Sequence, residues 1–264
     1  MNLATKLISA LPLVICAAGA LAQDKGPEPD YTITYNVGVV SDYRVRGIAQ
    51  TAYQPALQAG IDFAHLSGFY LGTFASNVGW VKDVNGASKG NLEVDLYGGY
   101  KGAINKDMGF DTGIITYQYP GNDSGAAGTK GAGAFGNAST TEIYGALSYQ
   151  VYNLKYNRSV GNFLGNLGSS GSQYFDLNAN FDLGHGFTLT PHIGRQLVPN
   201  QTPNANYTDV SLAIAKDFGN GFVATATAMA TNTKKEAGSF YRDQFGPGKD
   251  LGKSTVVLGV KYSF

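Results

Sequence analysis

Polar and apolar residues alternate along almost the whole chain, and from Tyr31 onward the alternation falls into twelve segments. The last of them, "STVVLGVKYSF", puts Val256, Leu258, Val260, Tyr262 and Phe264 on one row and Thr255, Val257, Gly259, Lys261 and Ser263 on the other. A period of two is that of a β-strand with one apolar face. The earlier segments cover residues 32–47, 55–65 and 69–78, a run from near Leu92, then 110–119, 141–149, 152–160, 174–183, 187–197, 207–218 and 222–231. The eighth is the cleanest: Phe175, Leu177, Ala179, Phe181 and Leu183 interleave with Tyr174, Asp176, Asn178, Asn180 and Asp182. In the third, fifth and eleventh segments both rows carry apolar residues, so their facing stays open.

The connections decide the architecture. After segments 2, 4, 6, 8 and 10 they are tight, four of them marked by "HLSGF", "NKDMGF", "LGHGF" and "FGNGF". After segments 1, 3, 5, 7, 9 and 11 they are long, as in the Gly/Ala-rich stretch 120–139 and the charged stretch 232–253. A sandwich has no reason to collect every long loop at one end, whereas an up-and-down transmembrane barrel has short turns on one side and long loops on the other. An unpaired strand edge in hydrocarbon costs several kcal/mol per orphan amide, so such a sheet must close. The sequence therefore predicts an all-β, antiparallel, transmembrane β-barrel of about twelve strands over residues 31–264. The closing strand pairs with the first, and a girdle of Phe69, Phe110, Phe187, Phe222 and Phe264 lies at the short-turn interface.

The first residues do not belong to that pattern. Lys6, the apolar run Leu7 to Cys16 and Ala20-Leu21-Ala22 have the layout of a cleaved secretory signal over residues 1–22, followed by a short segment 23–30. The run is too short to span a bilayer comfortably as an anchor. Ile15 before Cys16 does not suit a lipoprotein signal. Removing 22 of the 264 residues leaves 242 and no cysteine, hence no disulfide framework. Lysines and arginines number 19 and acidic residues 19, so without Lys6 the net charge is about −1. That balance excludes a nucleic-acid partner of the usual basic kind.

In a barrel the polar rows face the lumen. The clearer rows collect Arg44, Arg46, Lys101, Lys155 and Lys261 against Asp42, Asp62, Glu93, Asp95, Glu142, Asp176, Asp182 and Asp209. Charges in a low-dielectric wall either line water or pair across it. One reading is a hydrated path with a slight preference for cations, with Asp42, Arg44, Arg46, Gln58, Asp62, Glu93, Asp95, Glu142, Lys155, Asp176, His192 and Asp209 as candidate lining residues. The other is a set of interstrand salt bridges that plug a narrow barrel. An outer-membrane hydrolase is a further alternative: His192, beside Thr188 and Thr190, is the histidine on a polar row, while His65 and His185 sit at tight turns. No spacing pairs His192 with a nucleophile, and none predicts a metal or other cofactor. "GAAGTKGAGAFG" has no phosphate-loop pattern and reads as flexible loop.

One region carries a family likeness. Ser41-Asp42-Tyr43-Arg44, Arg46-Gly47-Ile48, Gln50-Thr51, Pro55-Ala56-Leu57-Gln58, Gly60-Ile61-Asp62, Gly68-Phe69-Tyr70 and Ser76-Asn77-Val78 resemble the hallmark of the TorF family of porin-like bacterial outer-membrane proteins of the Gcw_chp domain type. The likeness is strongest over residues 31–100 and continues through "LYGGYKG", "GIITYQYPG" and the closing strand; Val45 stands where an aromatic is expected. It implies a barrel in the outer membrane and names no solute. The expected partners are outer-membrane lipid, small hydrophilic solutes, and the barrel-assembly machinery through the strand ending at Phe264. Asp42, Arg44 and Arg46, read as one luminal row of the first strand with Gln58 and Asp62 beside them, would form either a charged constriction or a structural latch. A non-conducting barrel with an adhesive or envelope-structural role stays open beside the channel.

Overall fold

The computed structural model describes residues 29–264; the signal peptide expected over residues 1–22 lies outside the described residues. The strands are β1 (Tyr31–Val40), β2 (Arg44–Val45), β3 (Ile48–Ala49), β4 (Ala56–His65), β5 (Phe69–Asn77), β6 (Leu92–Ala103), β7 (Met108–Gln118), β8 (Thr140–Tyr149), β9 (Tyr152–Ser159), β10 (Gln173–Ala179), β11 (Phe181–Gly184), β12 (Phe187–Leu197), β13 (Tyr207–Gly219), β14 (Phe222–Thr231) and β15 (Thr255–Ser263). All pairings are antiparallel, successive wall strands pairing in chain order with β1 beside β4 and β10 beside β12, and the ring closes where β1 pairs with β15. Val39 lies opposite Val260 and Val37 opposite Tyr262, while Phe264 exchanges backbone hydrogen bonds with Tyr35. β2 and β3 form a separate ribbon. β10 and β11 are two halves of one wall strand, both paired with β12. The result is a closed barrel of twelve antiparallel strands. Turns of two to four residues join the strands at one end, and segments of nine to twenty-three residues join them at the other.

The molecule is inside out relative to a water-soluble domain. Leu57 is 63% exposed and Val256 60%, whereas Glu93 and Glu142 are 1% exposed. Large outward apolar side chains form a band around the cylinder, and carboxylates are shut inside it. That arrangement is stable only where the outer face meets hydrocarbon. The aromatic girdle forms at the short-turn end: Phe69 stacks near Tyr100 (5.0 Å) and Tyr100 near Phe110 (5.8 Å). Phe222 of β14 meets Tyr262 of β15 (5.6 Å), and across the closure Tyr35 meets Phe264 (5.8 Å).

The three ambiguous strands resolve inward on Phe74 and Ser76 (β5), Ile115 and Tyr117 (β7), and Thr225, Thr227 and Met229 (β14). Their inward rows contain large apolar residues because these sit against other luminal side chains rather than against open water. Inward tyrosines also lie flat over glycines on the neighbouring strand. Tyr70 is opposite Gly99, Tyr97 opposite Gly72 and Tyr144 opposite Gly113; a Cβ on any of the three glycines would overlap the ring. Gly99→Val is therefore expected to push Tyr70 off Asp111, whose carboxylate accepts its hydroxyl, at a cost of about 1–3 kcal/mol. Heat-modified mobility on gels should show a lower unfolding temperature.

Two expectations need correction. The first strand does not run to residue 47: it stops at Val40, and residues 41–55 turn into the barrel. The eighth segment runs as one wall strand: β10 and β11 keep a single register against β12 as far as Asp182, and between them the Asn180 N–H donates to the Val151 carbonyl (2.9 Å). Asp182, placed by alternation on the luminal row, keeps that parity but is exposed at the short-turn end, where all of residues 181–187 are exposed, and accepts from Gly184 N (2.8 Å).

Candidate functional site

The site is the lumen and the loop that crosses it. After Val40 the chain is drawn inward by a local polar knot. Asp42 pairs with Arg44 Nε (2.7 Å) and accepts from Thr51 Oγ1 and Tyr53 N (both 3.2 Å). Arg44 Nη1 donates to the carbonyls of Gly47 (2.8 Å) and Lys253 (2.9 Å), tying the loop to the segment before β15. β2 and β3 then make a two-residue hairpin with Arg46 and Gly47 at its tip. Their φ angles are 51° and 78°. Positive φ at both central residues is the type I′ turn that matches strand twist, and glycine meets it without strain.

The tip reaches the wall opposite β1. Arg46 Nη1 and Nη2 clasp Glu142 of β8 at 3.0 and 2.6 Å, and Nη1 also donates to Gln196 Oε1 of β12 (2.8 Å). The guanidinium lies 4.3 Å from the ring centre of Tyr174 on β10. A planar fork matched to a carboxylate and stacked on an aromatic face is the arginine geometry that holds most firmly. Tyr207 donates its hydroxyl to the Arg46 carbonyl (2.9 Å), and Asn157 Nδ2 donates to Glu142 Oε2 (3.2 Å). Arg44 and Arg46 thus act from an inward hairpin, not from the strand row expected for them.

Further along the wall, His192 stands between two carboxylates: Nδ1 is 3.4 Å from Asp176 and Nε2 2.8 Å from Asp209, which also accepts the Tyr174 hydroxyl (3.0 Å). Ser211 lies opposite His192 on β13, but both ring nitrogens face carboxylates, so neither is free to take a serine proton. Glu93 accepts the hydroxyls of Tyr43 (2.5 Å) and Tyr119 (2.6 Å). Asp62 accepts from Tyr97, and Lys155 Nζ sits 3.9 Å from the Tyr144 ring centre.

These groups surround a cavity of about 460 Å³. Of the expected lining residues, Asp42, Arg44, Arg46, Gln58, Asp95, Lys155, Asp176, His192 and Asp209 border it. Asp62 borders a second cavity of about 110 Å³, and Glu93 and Glu142 lie behind their partners. The two cavities share Val40, Gln58, Phe74 and Thr225. The larger cavity is lopsided: its charges come from the inward loop and from β6 to β13, while Ala213, Ala215, Thr225, Thr227 and Val257 line a small, neutral stretch. Tyr174 and Gln196 were readable from the alternation of their own strands. Phe74 and Tyr117 were hidden by ambiguous rows, and nothing in the spacing pointed to Tyr43 as a luminal group.

The long-loop end is packed. Val78, Trp80, Val81, Tyr119 and Ala138 form one apolar cluster; Ile48, Ala49, Ala52, Tyr207 and Leu251 form a second; Phe163, Val198 and Ala205 form a third. Asp123, in the Gly/Ala-rich segment, accepts from Ser88 N (2.8 Å), Lys89 N (3.1 Å) and the Ser88 hydroxyl. Those donors, the Ser88 hydroxyl first, hold its carboxyl below the ordinary aspartate range. Within the stretch read as flexible loop, Lys130 N donates to the Gly86 carbonyl (3.0 Å), tying it to the segment before β6.

A closed barrel with an apolar exterior, a polar interior and an inward loop defines an outer-membrane barrel of the porin type. Residues 24–264 match the family described as "Bacterial protein of unknown function (Gcw_chp)", and the chain belongs to that family. No curated protein sequence matches the chain. Its barrel is similar to the KdgM porin solved in complex with disordered oligogalacturonate, with a TM-score of 0.54 and 9% identity over 88% of this chain and 98% of that one. It is also similar to the NanC porin, with a TM-score of 0.50 and 10% identity over 88% and 99%. At such identities the likeness is one of fold.

Proposed function

We propose that this protein is an outer-membrane channel for passive diffusion of small hydrophilic solutes and ions, narrowed by the hairpin at residues 44–49 and weakly selective for cations. The observation that carries the reading is the polar cavity of about 460 Å³ inside a lipid-facing cylinder, continued by the smaller one that Asp62 and Lys261 border. Nothing but water and solute suits such a space in a membrane wall. In this reading the chain is exported, both ends of the barrel chain lie on the periplasmic side, the strand ending at Phe264 engages the assembly machinery, and the TorF grouping fits.

Carboxylates outnumber cations at the larger cavity. Asp42, Asp95, Asp176 and Asp209 stand against Arg44, Arg46 and Lys155, with His192 between two of the acids. KdgM was solved in complex with disordered oligogalacturonate; here the balance of charges favours neutral or cationic solutes. In planar bilayers with a potassium chloride gradient, the reversal potential should move toward that of potassium. A shift toward chloride would reject the selectivity. A silent bilayer would favour the second reading, a non-conducting barrel with a structural or adhesive role, which the packed long-loop end supports.

A further inference from the structure

Glu142 has Arg46, Glu93 has two tyrosine hydroxyls, and Asp176 and Asp209 share His192. Asp95 has none of these. It is 2% exposed, it borders the larger cavity, and its Oδ1 has no hydrogen-bond partner among the described residues. Among the described residues around the larger cavity, Arg44 pairs with Asp42, Arg46 with Glu142 and His192 with Asp176 and Asp209, and Lys155 lies over the ring of Tyr144. A buried carboxylate in that position calls for a cation or a proton from outside the chain.

Its surroundings specify which. On β5 Asp95 lies directly opposite Phe74, and on β7 directly opposite Tyr117. The ring of Tyr43, brought in by the inward loop, stands 5.9 Å from that of Phe74 at 56°. All three aromatic residues border the same cavity as Asp95. One carboxylate among aromatic faces is a poor metal site, which wants several oxygen or nitrogen donors, and no group of three or more His, Cys, Asp or Glu suited to a metal occurs among the described residues. It suits an organic ammonium ion, whose charge meets the carboxylate while its C–H surface lies on ring faces.

We propose that Asp95, Phe74, Tyr117 and Tyr43 form a luminal subsite for organic ammonium solutes. The subsite deepens the channel reading, on which it rests for the solute's route in, by naming the class of solute held there. Equilibrium binding tests it independently of conduction. The purified full-length barrel in detergent micelles is titrated with tetramethylammonium and followed by saturation-transfer NMR. Saturable binding is expected for the wild type, weakened about tenfold or more in Asp95→Asn and several-fold in Phe74→Leu. Asp182→Asn, which removes an equal charge from the outer surface, should leave it unchanged, and sodium should compete poorly. Absent binding, or equal binding by Asp95→Asn, overturns the subsite; efficient competition by sodium overturns the organic preference. Retained heat-modified mobility shows that each variant is folded, and should Asp95→Asn fail to fold, Phe74→Leu decides. Binding in micelles with silent bilayers would sink the channel reading and keep the subsite.

Discussion

Arg46→Ala should at least double the single-channel conductance and make the current noisier. Among the described residues the guanidinium is the cation ion-paired with buried Glu142, and it fixes the hairpin tip to three wall strands at once. Removing one member of a buried pair costs about 3–5 kcal/mol, because the other charge stays buried without its partner. A shift of that size moves a docked–undocked equilibrium by more than a hundredfold. The hairpin then leaves the opposite wall and the bore widens. Arg46→Lys keeps the charge but loses the bidentate fork and the stacking, so its conductance should fall between the two. Glu142→Gln should open the bore in the same direction. Wild-type conductance in Arg46→Ala would mean that the hairpin does not set the bore.

Leu212→Arg should impair assembly, whereas Ser211→Arg should spare it and change selectivity. The two positions are adjacent on β13: Leu212 is half-exposed on the outward face, and Ser211 borders the lumen. An arginine on the lipid face near mid-bilayer costs about 2–4 kcal/mol. The same side chain one residue earlier meets water and carboxylates, and should turn the reversal potential toward chloride. Heat-modified mobility and membrane yield read the first effect, and bilayer recordings read the second. Equal yields for the two variants would contradict the inside-out arrangement.

How much of this was legible in the sequence follows from what carries each feature. Strand positions, the alternation of short and long connections and closure by the last strand are local, period-two properties, and the outward rows of β1, β4 and β15 follow directly. The facing of β5 and β7 was hidden because Phe74, Ile115 and Tyr117 are as apolar as lipid-facing residues. The inward loop was misread because Tyr43 and Val45 continue the alternation of β1 past Val40. The signal against a straight strand was present in Arg46-Gly47, a pair suited to a type I′ turn, but its register with Glu142 and Gln196, 96 and 150 residues away, is a property of the closed cylinder alone. Asp95 was legible as a luminal charge; that it has no partner was not.

The reach of the hairpin also bears on the order of events during biogenesis. The loop leaves the first wall strand, but its anchors come from β8, β10 and β12. Contacts so distant along the chain form late, since the intervening polypeptide must be ordered first. The nascent cylinder therefore passes through a stage with its walls largely laid down and its interior unobstructed, and the hairpin docks as one of the closing steps.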